Sequence, residues 1–205
     1  MSKTVGLLLI LFSVIPSFDV AAEEDDWQLR KNENGIKVYT RKKADAGIYM
    51  YKVVTHISVK PETVYRQVVD FNENLKHMEL VDSLRFLDHQ KDKRYTNYMH
   101  FNMPWPVKNR EMVMDMQVTK DQKGIYLESN DLPEYLSRNS EIVLIEDFQE
   151  KWTIKEGVSP DESRIIVIGW VDPGGSIPLW VVNMFSAQTP FRFISGIIEE
   201  VRKDL

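Results

Sequence analysis

Residue types able to do chemistry are sparse in this 205-residue chain. Its histidines, His56, His77, His89 and His100, are scattered, with no His-Glu-x-x-His run and no second ligand at a metal-binding interval. The absence of cysteine removes disulfides, thiolate metal sites, a cysteine nucleophile and a lipidated N-terminal cysteine. No Gly-x-Ser-x-Gly elbow or phosphate-binding glycine loop occurs. Acidic pairs such as Glu146-Asp147 and Glu199-Glu200 read as solvated faces. The sequence therefore predicts no catalytic residue, no metal and no cofactor.

What stands out instead is one arginine on an apolar face. In a strand, residues of equal parity share a side. From Arg110 the even positions are Arg110, Met112, Met114, Met116 and Val118, whereas the odd ones are Glu111, Val113, Asp115, Gln117 and Thr119. The even face is the inward one. A guanidinium there needs a carboxylate, a carbonyl cluster or an anionic ligand, unless it snorkels to water from the strand end. The preceding strand, Arg94 to Asn102, offers Asn97, Tyr98 and His100 but no carboxylate, which leaves Glu128, Asp82 and Asp131 as partners from elsewhere. Methionine is a flexible filler suited to a pocket that adapts to mobile chains.

The elements that must position this face are legible from periodicity. Ile36–Arg41 and Tyr49–Ile57 alternate as a hairpin pair, and Pro61 opens a helix through Asp70 with Val64, Val68 and Phe71 on one stripe. Strands follow at Leu84–His89, Arg94–Phe101, Arg110–Thr119, Gly124–Asn130, Ile142–Asp147, Lys151–Glu156 and Arg164–Val171, a large, mostly antiparallel sheet. A final helix is expected from an N-cap at Ser176 to about Lys203, ~40 Å long. Trp180, Met184, Ala187, Phe191, Ile194, Ile198 and Val201 form its apolar stripe, and Pro190 should kink or divide it.

Lys3, the apolar run Val5–Ile15, Pro16 and Val20-Ala21-Ala22 have the order of a cleavable signal peptide. That run is short of the ~20 residues a membrane span needs. Cleavage after Ala22 is the expectation, leaving residues 23–205 as a single domain. Export without disulfides favours the bacterial periplasm, with secretion as the alternative. The net charge of −5 offers no electrostatic reason to coat nucleic acid. A monomer is expected.

Two segments carry a family resemblance: Pro104-Trp105-Pro106-Val107-Lys108-Asn109-Arg110-Glu111, and Asp172-Pro173-Gly174-Gly175-Ser176-Ile177-Pro178-Leu179-Trp180-Val181-Val182-Asn183. Over residues 27–203 the chain resembles the StAR-related lipid transfer (START) domain family, with Glu111 where Asp is usual. The resemblance implies an α+β helix-grip fold of the START/Bet v 1-like kind, a curved antiparallel sheet wrapped around a long C-terminal helix and enclosing a tunnel for one lipid. It also implies that Arg110 meets a head-group phosphate, so a phospholipid is favoured. Met112, Met114, Met116, Tyr98, His100, Trp180, Met184 and Phe191 are the expected lining. Pro104, Trp105, Pro106 and Val107 are the expected gate and transient membrane contact, with Trp105 either an interfacial anchor or a plug of the tunnel end. The alternatives are a sterol or hopanoid carrier and a cyclase or hydratase of the wider superfamily. The enzyme reading needs Tyr98, His100 and Arg110 to converge as acid, base and oxyanion donor.

Overall fold

The computed structural model describes residues 26–44, 46–138 and 141–203. The expected signal peptide, residues 1–22, lies outside the described residues, as do the side chains of Met184 and Phe185. Ten strands form one sheet: β1 (Gln28–Glu33), β2 (Ile36–Lys42), β3 (Tyr49–Ile57), β4 (Val81–Gln90), β5 (Arg94–Phe101), β6 (Arg110–Asp121), β7 (Gly124–Asp131), β8 (Val143–Leu144), β9 (Asp147–Glu156) and β10 (Ser163–Asp172). Their order is β1-β2-β3-β10-β9-β7-β6-β5-β4, every neighbouring pair antiparallel, with β8 added parallel to the start of β6.

Alternation decides which face is buried. On β2, Ile36, Val38 and Thr40 are buried while Lys37 is exposed, and on β10 Ile165 and Val167 are buried while Arg164 is exposed. Two expected strands differ. Ile142–Asp147 shrinks to β8, where Val143 N donates to the Asn109 carbonyl and, one residue past the strand, Ile145 N donates to the Glu111 carbonyl. Asp147 instead begins β9, because it pairs with Asp172 at the end of β10.

The inner face is covered by helices. Helix α1 (Pro61–Val68) starts on Pro61, where a missing N–H costs nothing, and buries Val64, Tyr65 and Val68. Asp70 does not continue it. Its carboxylate accepts from Glu73 N and caps a separate short helix, α2 (Phe71–Asn74). The expected C-terminal helix is two helices, α3 (Leu179–Phe185) and α4 (Gln188–Lys203). The break falls at Ser186–Ala187, and Pro190 lies in the first turn of α4, where backbone N–H groups have no intrahelical acceptor. Pro178, not Ser176, immediately precedes α3. Phe191, Ile194, Ile197, Ile198 and Val201 of α4 are buried in the core, each contributing about 1.5–3 kcal/mol. Among the described residues no helix is long and apolar enough to cross a membrane.

The last turn of α4 is fixed by charge. Glu200 accepts from Lys203 at 2.9 Å, lies 3.0 Å from His77 Nε2 and pairs with Lys76 at 3.2 Å. These partners, Lys203 foremost, lower its carboxyl pKa to about 2. A carboxyl depressed on folding stabilises the protein above its ordinary value of 4.5, and that contribution is lost as pH falls towards 2. Thermal melts should therefore show a decline across that acid window that is shallower in Glu200→Gln.

Candidate functional site

The two segments singled out by sequence meet in space. Arg110 opens β6 and is only 2 % exposed. Its Nε donates to the Pro173 carbonyl at 3.2 Å, its Nη2 to the Gly174 carbonyl at 3.1 Å and its Nη1 to the Lys108 carbonyl. Gly174 and Gly175 have φ of 63° and 69°, the left-handed region that glycine adopts without strain, and they shape the turn around the guanidinium. The Asp172 carboxylate secures the same turn by accepting from Gly174 N at 2.9 Å. Among the described residues no carboxylate pairs with Arg110. Glu128 pairs with Lys151, Asp82 with His100, and Asp131 accepts from Phe148 N. Burial without a counter-charge pulls the Arg110 pKa below the ordinary arginine value. Of the partners open to it, the structure shows the carbonyl cluster, reached through three of the five guanidinium N–H groups.

That junction organises one end of the sheet. The loop before β6 is closed by Met103 N donating to Asn109 Oδ1 at 3.0 Å, and it presents Pro104, Trp105 and Pro106 to solvent, with Trp105 92 % exposed and Val107 half-buried. Beyond the glycine turn, α3 leans on the β2–β3 connection. Asn183 Oδ1 accepts from Tyr49 N at 3.0 Å, and Asn183 Nδ2 donates to the Gly47 carbonyl at 3.2 Å. A cleft of about 280 Å³ lies at the α3–α4 junction, lined by Arg30, Thr40, Tyr49, Asn183, Ser186 and Ala187.

The concave face carries the methionines, as parity predicts. Met112, Met114 and Met116 are buried in the core, and Phe191 joins them from α4. Tyr98 and His100 are corrected: both lie on the convex side, where the Tyr98 hydroxyl donates to Glu111 at 3.0 Å and His100 Nδ1 lies 2.6 Å from Asp82. The register pairs Tyr98 with Val113 and His100 with Glu111, so their inward neighbours Asn97 and Met99 face Met114 and Met112. Trp180 is corrected as well, being 70 % exposed, because the break after α3 ends the stripe that α4 buries.

Sequence reading misses the polar groups on this face. Met116, Ser129, Glu150, Gly169 and Tyr51 are successive cross-strand partners on β6, β7, β9, β10 and β3. The Glu150 carboxylate accepts from the Tyr51 hydroxyl at 2.5 Å and from Trp152 Nε1 at 2.7 Å. Burial raises the Glu150 pKa, and these two bonds oppose the rise. The approach depends on Gly169, where a Cβ would stand 2.7 Å from Tyr51 Oη. The signal lay in the parity of Phe148, Glu150, Trp152 and Ile154, which a strand begun at Lys151 cuts off.

The START domain family profile matches residues 18–203. This chain belongs to the START domain family. It is 23 % identical over 181 residues to the phosphatidylcholine transfer protein of Mus musculus, spanning 85 % of this chain and 83 % of that one. It superposes on the STAR-related lipid transfer protein of Xanthomonas axonopodis with a TM-score of 0.77 and 26 % identity, covering 87 % of this chain and 99 % of the other. The Zhui aromatase/cyclase of a Streptomyces strain shares the fold at a TM-score of 0.53 and 5 % identity, over 75 % and 93 % of the two chains. The helix-grip architecture of the family is the one described above.

Replacing Arg110 by Met strands three carbonyls and should lower the unfolding free energy by about 3 kcal/mol in denaturant titrations. Affinities for charged and uncharged lipids should then fall together, since the side chain acts on the fold.

Proposed function

We propose that this chain is a non-enzymatic carrier that holds one lipid between the concave sheet and α4 and exchanges it at a membrane surface. START membership supports lipid binding or transfer in general. The observation that carries the membrane half is a pair of exposed tryptophans at one end of the sheet: Trp105 just before β6, and Trp180 in α3 beyond the turn that Arg110 holds. Indole rings favour the boundary between water and lipid, and the exposed Leu179 extends the patch. Trp105 is read as an interfacial anchor. Release of Asn183 from Tyr49 and Gly47 would let α3 lift from the β2–β3 connection and open a way in.

The likeness to phosphatidylcholine transfer proteins speaks for a phospholipid cargo. Arg110, the expected phosphate partner, is bonded to three carbonyls through three of its five N–H groups. The enzyme reading loses its constellation, because Tyr98 and His100 project from the convex face while Arg110 is buried against the glycine turn. Export to the periplasm completes the proposal. N-terminal sequencing of protein from fractionated cells should begin at Glu23, and a chain retaining Met1 would overturn it.

Protein isolated from its membranes, or mixed with vesicles of bacterial total lipid extract, should carry one lipid per chain in native mass spectrometry. A chain that carries none and takes none refutes the carrier. In a vesicle-to-vesicle transfer assay, the double substitution Trp105→Ala, Trp180→Ala should slow exchange by roughly tenfold, equivalent to about 1.4 kcal/mol of interfacial affinity, while leaving the melting temperature unchanged.

A further inference from the structure

The convex face of the sheet carries its charge in two different ways. Towards β5, β6 and β7 the cations stand beside acids, as Arg94 does with Asp115 and Lys151 with Glu128. On β2, β3, β9 and β10 they do not. Burial of Val38, Val53, Ile154 and Ile165 turns Lys37 and Arg41 of β2, Lys52 of β3, Lys155 of β9 and Arg164 of β10 outward. Arg164 stands directly opposite Lys155 on one side and His56 on the other. Among the described residues no carboxylate pairs with Lys37, Arg41, Lys155 or Arg164. The acids of this region, Asp147 and Asp172, lie at the strand ends, where Lys43 and Trp170 engage the first and Gly174 N the second. Like charges opposed across strands destabilise a sheet, so Arg164 against Lys155 does nothing for the fold. The patch also runs against the chain as a whole, whose net charge is −5.

Between these cations lies an apolar strip. Val54, Ile166 and Ile168 point outward and are half-buried. Lys37, Val54 and Ile166 form one cross-strand row, and Lys52, Ile168 and Lys151 form the next. We propose that this face docks an acidic segment of a partner protein, with carboxylates on Lys37, Lys155 and Arg164 and apolar side chains on Val54, Ile166 and Ile168. An apolar centre inside a charged rim is the anatomy of a protein–protein contact, and complementary charge steers the partner in and fixes its register. Nucleic acid fits this surface less well. The rings on which bases would stack are covered by cations, Trp27 by Arg41 at 4.8 Å and Tyr126 by Lys155 at 5.6 Å, and phosphates have no use for the aliphatic strip. The membrane is met elsewhere. Trp105 and Trp180 mark one end of the strands, and a chain seated on that end holds its convex face upright, away from the bilayer. Docking therefore leaves the exchange end free.

The test measures fluorescence anisotropy of two labelled probes of equal length, poly-L-glutamate and a random copolymer of glutamate and leucine, against the chain as isolated from cells. The copolymer should bind the wild-type chain more tightly than poly-L-glutamate, and added salt should weaken both. Arg164→Ser combined with Lys155→Gln should cut copolymer affinity by about tenfold, while the melting temperature holds or rises because the opposed charges are gone. Ile166→Thr, which keeps a β-branched residue in the strand, should bring copolymer affinity down towards that of poly-L-glutamate. Binding of neither probe, or equal copolymer binding by the wild type and the double variant, overturns the proposal. Duplex DNA bound as tightly as the copolymer overturns it too, as do phosphatidylglycerol vesicles bound through Arg164 and Lys155 instead of Trp105 and Trp180. Copolymer binding that appears only when Glu23, Glu24, Asp25 and Asp26 are changed to serine assigns the face to the chain's own acidic run and overturns the partner. Self-association that the double variant abolishes assigns it to a second copy, with the same result.

Discussion

The structure turns on one buried guanidinium bonded to main-chain oxygens. Arg110 ties the first residue of β6 to the carbonyls of Pro173 and Gly174, 63 and 64 residues further along the chain, and to Lys108 beside it. Charged donors make stronger hydrogen bonds than neutral ones, about 1.5–3 kcal/mol each, and this offsets the cost of taking an arginine out of water. Everything at that end of the sheet refers to this point. β8 pairs with Arg110 and Glu111, the exposed Trp105 loop leads into β6, and α3 leaves from the glycine turn. A lysine, with a point charge and three donors on one atom, cannot span the same carbonyls.

The sheet sorts its chemistry by side. The convex face carries opposed charges at close range, Arg94 with Asp115, Lys151 with Glu128 and Asp82 with His100. The concave face carries methionines, branched aliphatics and the Glu150 carboxylate, whose partners are Tyr51 and Trp152. Charge and apolar containment are thereby separated along single strands. β6 shows both, with Met112 and Met114 on one parity and Glu111 and Asp115 on the other, all four buried.

Much of this was legible in the sequence because alternation reports burial directly. The methionine face of β6, the positions of β3, β5, β7 and β10, and Pro61 at a helix start all follow from local pattern. Other features depended on information that periodicity lacks. Tyr98 and His100 face outward, which parity within β5 cannot reveal until the register against β6 is known. The partners of Arg110 are backbone carbonyls, which leave no mark in side-chain identity. Pro190 announced a discontinuity but sits after it, since the break at Ser186–Ala187 lets the proline occupy a first turn. Glu150 is inconspicuous in sequence because a strand starting at Lys151, four residues after Asp147, hides the parity that sets the acid among Phe148, Trp152 and Ile154.

The two ends of α3 are fastened unequally. Its leading end follows a turn locked by charged hydrogen bonds, while its trailing half is held to the β2–β3 connection by one asparagine making two neutral ones. At about 1 kcal/mol each, those two bonds contribute near 2 kcal/mol against releasing that half, a factor of roughly thirty. The polar fastening is thus lopsided, and a membrane that favours a form with the trailing half released has less to overcome there than at the Gly174–Gly175 turn.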